Sequence, residues 1–354
     1  MPNKNRAKSL LILLILFTAI KGLTAQKIDR FKGSVNYGAI ISHADDLKPY
    51  SKNNPSGFTL SWQRKNLNIE SFHTCNCFYY TGVEFSYFNF RDKDVLGSAY
   101  SLSGTFDPLI YKTGKLKLYL QSSVGVSYLT KIHNKEKNPD NNFFSSRISF
   151  LLSLGPSFEY KISQYFSGEL SLNFNHISNG GVKQPNRGMN FTVAGVSVNY
   201  YPSRKSLPSH KPIMPPANGW LWTELGVTTN KTESDKNRRK PLLSLATGAT
   251  KTLSLINGIG CGIEFITDYS IEQNRSFKDQ TIIAPFISHH FLLGKFDFSQ
   301  RFGYYMHKSK STTNNFYQRY TLTYLLKEHV KIGFSLKAHK HNAANLDFRI
   351  GYNF

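Results

Sequence analysis

Beyond its first 25 residues the chain has no run of 18 consecutive apolar residues, which excludes a membrane-spanning helix over that part. Cysteine is scarce. Cys75, Cys77 and Cys261 make an odd count with one Cys-x-Cys pair, so neither a disulfide framework nor a zinc site is expected, and a structural role is assigned to them. Acidic residues are few: 22 Asp and Glu stand against 44 Lys and Arg, a formal net charge of +22. No long window favours the helical period, so an α-helical core is not expected either.

The excess of positive charge has either a partner or the plainer reason that Lys/Asn-rich loops are solvated, and the N-terminus narrows the choice of partner. Lys4, Arg6 and Lys8 precede an uncharged stretch from Ser9 to Ile20, and Leu23-Thr24-Ala25 offers a small-residue cleavage site. This is the layout of a secretory signal peptide over residues 1–25. No cysteine follows to accept a lipid, so a lipoprotein is not expected. Removing the four basic residues of the segment lowers +22 to +18 for the mature chain. An exported basic protein is not expected to meet nucleic acid. The phosphates of lipopolysaccharide in the outer leaflet are the better electrostatic match.

What the chain has in abundance is aromatic residues. Phe and Tyr together number 47, yet mean hydropathy is negative. Many aromatics at low mean hydropathy suit strands that alternate between an apolar and a polar face. Sixteen strand-like runs can be read, from about 32–44 to about 346–354. Their connections alternate in length. Lys112-Thr113-Gly114, Leu293-Gly294 and Lys327-Glu328 mark short turns, whereas Ala44 to Pro55, Ile132 to Asn142 and Asn179 to Met189 are long and polar. Short turns at one end and long loops at the other mark an all-β fold, a transmembrane antiparallel β-barrel with its turns in the periplasm. Asn66 to Asn76 breaks the rule, being long at the short-turn end.

Ser203 to Pro216 divides the sixteen runs eight and eight. It holds four prolines and cannot join a ladder in its middle. The expected organisation is a signal peptide over 1–25, a barrel half over 26–202, a Pro-rich linker over 203–216 and a second barrel half over 217–354. A single barrel of about 14–16 strands is favoured, because one C-terminal strand carries an assembly pattern. Leu346, Phe348, Ile350, Tyr352 and the terminal Phe354 alternate with polar residues, as in strands read by the outer-membrane assembly machinery. Two tandem eight-stranded barrels are the alternative, favoured by the aromatic close at Tyr200-Tyr201-Pro202.

Gly168 to Tyr201 carries the chemistry. Read with a period of two, Leu170, Leu172, Phe174, His176 and Ser178 share one face, while Glu169, Ser171, Asn173 and Asn175 share the other. In an outer-membrane barrel the apolar row faces lipid, so His176 and Ser178 stand on the lipid side. Two residues apart on one face, their side chains can meet, and an imidazole can take a hydroxyl proton. The glycines of Asn179-Gly180-Gly181 let backbone N–H groups turn toward a ligand.

The residues HISNGG, followed by KQPNRGMNF, resemble the signature of outer-membrane lipid A deacylases of the PagL type, also called acyloxyacyl hydrolases. The match consists of His176, Ser178, Asn179, Pro185, Asn186 and Gly188. It is specific over about these 30 residues, looser over 30–202, and absent from the rest for the smallest members, although longer members occur. The resemblance implies an outer-membrane serine esterase that removes an ester-linked acyl chain from lipid A. Ser178 would be the nucleophile, His176 the base, and Asn179, Gly180 and Gly181 the oxyanion site. The best-known members carry a glutamate fourteen residues after the histidine. Here that position is Asn190. Its parity matches the presumed lipid face, and an amide oxygen can still accept the Nδ1 proton.

The chemistry needs no cofactor and no metal. His339 and His341 fall on the inward parity and lack a third ligand, so a loop rim is the expected setting. Glu84 and Glu264 are expected to line the interior. The competing function is a non-catalytic barrel, porin-like or structural, with a vestigial site.

Overall fold

The computed structural model describes residues 27–354 apart from 44, 181–182, 233–237, 272–276, 309–313 and 340–341. The signal-peptide expectation lies outside the described residues. Among the described residues sixteen strands form, and they close into two barrels of eight. Within each barrel every strand pairs with the next in sequence, antiparallel throughout.

The first barrel comprises β1 (Lys27–Ile41), β2 (Ser56–Asn66), β3 (Tyr79–Asn89), β4 (Ser98–Thr113), β5 (Leu116–Leu129), β6 (Ile148–Lys161), β7 (Phe166–Ser178) and β8 (Met189–Tyr200). It closes by pairing β1 with β8, from Phe31 opposite Tyr200 to Ile41 opposite Asn190. The second comprises β9 (Trp220–Lys231), β10 (Arg239–Ser254), β11 (Asn257–Asp268), β12 (Thr281–Leu293), β13 (Phe296–Tyr304), β14 (Phe316–Leu325), β15 (Val330–His339) and β16 (Asn342–Asn353). There β16 returns to β9, with Phe348 opposite Val227. No strand forms between Tyr200 and Trp220.

The favoured single barrel is therefore corrected to the alternative, two barrels of eight. The reason lies in the inward side chains. An eight-stranded barrel leaves an interior that side chains can fill, whereas about sixteen strands enclose an aqueous channel. In the first barrel Arg30 on β1 reaches across to Asp107 on β4, Nη2 to Oδ2 2.6 Å, and to Glu169 on β7, Nη1 to Oε2 3.5 Å. In the second, Arg319 on β14 meets Glu264 on β11 at 3.2 Å and Asp347 on β16 at 2.8 Å. Glu224 on β9 takes Arg301 on β13 at 2.6 Å and Lys331 on β15 at 2.8 Å. Each half carries its own matched set of inward charges, and these pairs exist only across a narrow lumen.

Outward residues form the apolar belt that the alternation requires. Val35, Leu60, Leu102, Val124, Leu170 and Val196 are all more than half exposed, whereas Arg30, Lys32, Glu159 and Glu169 are buried. The order inside and outside is the reverse of a water-soluble protein and fits lipid outside.

The interior of the first barrel is polar only in its middle. At the long-loop end, Ile177, Met189, Phe191 and Val193 point inward and pack with Leu47, Phe90, Phe143 and Phe144 from the loops. At the short-turn end, Ile28, Leu67, Phe78, Tyr80, Tyr119 and Tyr201 form a second buried cluster. This accounts for the long connection after β2. It folds into a short helix, Ile69–His73, capped by the Asn68 side chain on the Ser71 N–H at 3.1 Å, and its Leu67 and Phe72 close the barrel floor. Cys75 and Cys77 are disulfide-bonded and Cys261 is free, so the expectation of no disulfide is corrected for this local pair. Between the two clusters the lumen keeps a cavity of about 30 Å³, room for one or two waters.

Candidate active site

Ser178 is the last residue of β7, and β8 begins at Met189 after the connecting loop. The ladder between them places His176 opposite Asn190 and Phe174 opposite Thr192. Leu170, Leu172 and Phe174 are exposed along the outward row, and half-buried His176 and Ser178 continue it. The adjacent inward residues, Asn175 and Ile177, are buried. On the other flank, β6 sets Phe150 opposite Ser178 and Leu152 opposite His176. Both are more than half exposed, so an apolar outer wall runs directly up to the hydroxyl.

The three side chains meet. Nε2 of His176 lies 3.0 Å from Oγ of Ser178, and Nδ1 lies 2.5 Å from Oδ1 of Asn190. An amide oxygen can only accept, so Nδ1 carries the imidazole proton and Nε2 presents a lone pair to the hydroxyl. This is the tautomer a general base needs.

The structure adds a residue the motif does not reveal. Nδ2 of Asn190 lies 3.3 Å from Nδ1 of His43, and Nε2 of His43 lies 3.0 Å from the carbonyl oxygen of Arg187. His43 follows β1, whose Ile41 pairs with Asn190. Only barrel closure brings it there, from 147 positions away in sequence. No spacing rule could have found it.

Gly188 shapes the space around the pair. Its φ of +68° suits glycine, and a Cβ there would lie 2.9 Å from Cε1 of His176 and 3.1 Å from Cβ of Ser178.

The expected oxyanion corner is arranged differently. Asn179 is buried, and its donors are engaged. Its backbone N–H donates to Oδ1 of Asn186 at 3.2 Å, and Nδ2 donates to Oγ of Ser145 and the carbonyl of Lys183, both at 3.0 Å. The ladder has ended at Ser178, so this side chain turns into the loop packing and not toward the hydroxyl. The expectation of Asn179 as an oxyanion donor does not fit these contacts. Gly180 is exposed, with φ +66° and open space beside it. Gly181 lies outside the described residues. Asn186, with its oxygen held by Asn179, has its Nδ2 on the opposite side of the amide.

Beside the site, the loops after β5 and β7 line a cleft of about 860 Å³. Lys135, Lys183 and Arg187 give it positive charge, against Asp46 and Glu136, and His133 and Asn186 form part of its wall.

A second Ser–His–acid constellation stands in the other barrel. Oγ of Ser288 lies 3.0 Å from Nε2 of His290, and Nδ1 of His290 lies 2.9 Å from Oδ1 of Asp297. The distances suit a triad, but the setting does not. Ser288 and His290 face inward and are buried, and the same Nε2 also meets Oγ1 of Thr250 at 3.2 Å. That hydroxyl in turn accepts from Trp222. The group is a closed knot of core hydrogen bonds.

Glu264 lies in the ionic core of the second barrel. His339 meets the Tyr305 hydroxyl at 2.9 Å, and His341 lies outside the described residues. Among the described residues no group of three or more His, Cys, Asp or Glu could hold a metal ion.

The family model described as lipid A 3-O-deacylase (PagL) matches residues 52–199, and that described as acyloxyacyl hydrolase, C-terminal domain, matches residues 218–354. Among solved structures, the outer membrane enzyme PagL is similar at 17% identity, over 47% of this chain and 97% of that one, with a TM-score of 0.35. Neisserial surface protein A is similar at 10% identity, over 49% and 96%, with a TM-score of 0.33. No curated protein matches the chain.

Proposed function

The chain belongs to the family of lipid A 3-O-deacylases, with the acyloxyacyl hydrolase C-terminal domain as its second part, and on that premise we propose a serine esterase mechanism at Ser178 for this outer-membrane β-barrel protein. The substrate is lipid A of lipopolysaccharide, and the bond is an acyl ester at the 3-O position that the family's description names.

The observation that carries this reading is the line of contacts from Ser178 through His176 to Asn190 on the outward face. A glycolipid in the outer leaflet arrives from that side. Its acyl chain would lie along Phe150, Leu152 and Phe174, and its phosphates would meet the basic cleft. Ser178 Oγ attacks the ester carbonyl while its proton passes to His176 Nε2. The tetrahedral oxyanion takes donors from the Gly180 backbone and the Asn186 amide, with Asn179 holding Asn186 in place. Collapse returns the proton from His176 to the sugar oxygen, which leaves as a hydroxyl. Water, activated by the same imidazole, then releases the fatty acid from Ser178. Asn190 orients the imidazole but adds no negative charge beside the imidazolium, so slower turnover than with a carboxylate is expected.

Against a porin-like role stand two filled interiors, with Arg30, Arg319 and Arg349 wholly buried among acids. Recognition of the C-terminal strand, ending at Phe354, by the assembly machinery remains part of the proposal.

The test is mass spectrometry of lipid A from cells expressing the protein. Loss of one hydroxyacyl chain with the wild type, and none with Ser178→Ala at equal outer-membrane abundance, is the expected result. An unchanged acyl pattern with the wild type would sink the proposal.

A further inference from the structure

We infer that His43 is a positioning residue that fixes which way the Asn190 amide faces, and thereby which nitrogen of His176 is free to act on Ser178. The inference rests on the esterase reading of that site, and it names a regulator of the base that the motif does not contain.

The argument starts from a group with no choice. The Arg187 carbonyl can only accept a hydrogen bond, so the His43 Nε2 facing it at 3.0 Å must carry the proton. In a neutral imidazole the other nitrogen, Nδ1, is then an acceptor. Asn190 therefore turns its NH2 toward His43, at 3.3 Å, and its Oδ1 toward His176, at 2.5 Å. With an oxygen on Nδ1, His176 carries its proton there, and Nε2 is left basic at 3.0 Å from the Ser178 hydroxyl. A single backbone carbonyl thus sets the direction of every proton in the line.

The device answers a problem specific to asparagine. A carboxylate accepts through either oxygen, so its rotation does not alter the tautomer of the histidine it holds. An amide has two unlike ends. If Asn190 presented NH2 to His176, the imidazole would have to accept at Nδ1 and carry its proton on Nε2, where it could no longer take the serine proton. In a serine protease, that wrong tautomer costs about 10⁴ in turnover. His43 makes the unproductive face of the amide the one that loses a hydrogen bond. The hydrogen bonds of His43 go to the Arg187 carbonyl and to Asn190, so its effect on Ser178 passes through Asn190.

The experiment uses the full-length protein in detergent micelles with isolated lipopolysaccharide, in four forms: wild type, His43→Ala, Asn190→Glu and the double variant. His43→Ala is expected to lower kcat about tenfold with KM little changed, the scale of one hydrogen bond choosing between two orientations. In the Asn190→Glu background the same change is expected to have no effect beyond about twofold, because a carboxylate needs no orienting. A loss of equal size in both backgrounds, or none in the wild type, would overturn the inference. His43 is exposed, and the rescue by Asn190→Glu separates orientation from misfolding.

A second readout does not depend on turnover. Imidazole ¹⁵N spectra of the same samples are expected to show His176 protonated at Nδ1 and His43 at Nε2, with His176 becoming a mixture of tautomers in His43→Ala. His43 protonated at Nδ1 in the wild type would overturn the inference. If the wild type removes no acyl chain, the esterase reading fails, and the spectra alone decide the orientation of Asn190.

Discussion

His176 and Asn190 face each other across the ladder of β7 and β8, with Nδ1 and Oδ1 2.5 Å apart. The pair holds an imidazole in the orientation of a general base without a carboxylate. Two properties follow: the tautomer is set, and the developing imidazolium is not neutralised. Asn190→Ala removes both the acceptor and the orientation, and a fall in kcat of about 10²–10³ is expected, less than the loss of about 10⁴ for a triad carboxylate because no charge is lost with it. Asn190→Glu supplies charge and acceptor together, and turnover equal to or above wild type is expected. Rates on purified lipopolysaccharide check both. If neither substitution moves kcat, Asn190 has no part in the chemistry.

Gly188 tests the shape of the same site. Its backbone lies in the left-handed region, and a Cβ would come within 2.9 Å of the His176 ring. Gly188→Ala therefore strains the loop and pushes the imidazole away from Ser178. At unchanged outer-membrane abundance, kcat is expected to fall at least about tenfold, since a misplacement near 1 Å can cost about 10²-fold. The second form, Gly180→Ala, has open space beside its would-be Cβ, so strain without a clash should cost less. Equal effects would show that backbone strain, and not crowding of His176, governs the site.

Much of this was legible in the sequence, for reasons that differ by feature. Period-two alternation exposes inside and outside directly, so the outward placement of His176 and Ser178 follows from Leu170, Leu172 and Phe174 alone. The opposition of His176 and Asn190 was also readable, because two adjacent strands joined by one loop keep parity. Barrel number was not. Alternation is the same for eight strands and sixteen, and only the reach of Arg30 to Asp107, or of Arg319 to Glu264, reports the width of the lumen. His43 was equally hidden, since it joins the site through closure of β1 on β8. Asn179 misled for a local reason. It follows the last ladder residue, where parity no longer says which way a side chain points.

The knot of Ser288, His290 and Asp297 offers a discriminating control. Its Ser–His distance equals that at Ser178, 3.0 Å, but Ser288 and His290 are buried in the lumen of the second barrel. Geometry without access predicts no chemistry. Ser288→Ala is expected to leave the acyl pattern of lipid A unchanged in the same mass-spectrometric assay that reads Ser178→Ala. Loss of activity with intact assembly would move the site to the second barrel.

The partners of Ser178 all lie in the first barrel, and so does a part of the Pro-rich segment. Of the described residues, 27–72 and 77–210 pack together as that barrel's unit. Arg204 stacks on Tyr201 at 3.8 Å and donates to Oγ of Ser167 at 2.6 Å, and Nε2 of His210 donates to the Leu67 carbonyl at 2.8 Å. These contacts close the floor on which Glu159 and Tyr201 are buried. A chain ending at His210 is therefore expected to fold, insert and hydrolyse lipid A on its own. One ending at Pro202 loses the guanidinium beside buried Glu159, and removing one partner of a buried charge typically costs about 3–5 kcal/mol. Lys117 and Arg30 remain near that carboxylate, so the loss should fall toward the lower end. Heat-modifiability on gels and lipid A mass spectra of the two chains check this. Activity of the longer chain with early melting of the shorter is the expected outcome. A longer chain that inserts but leaves lipid A intact would show that the second barrel is needed for hydrolysis.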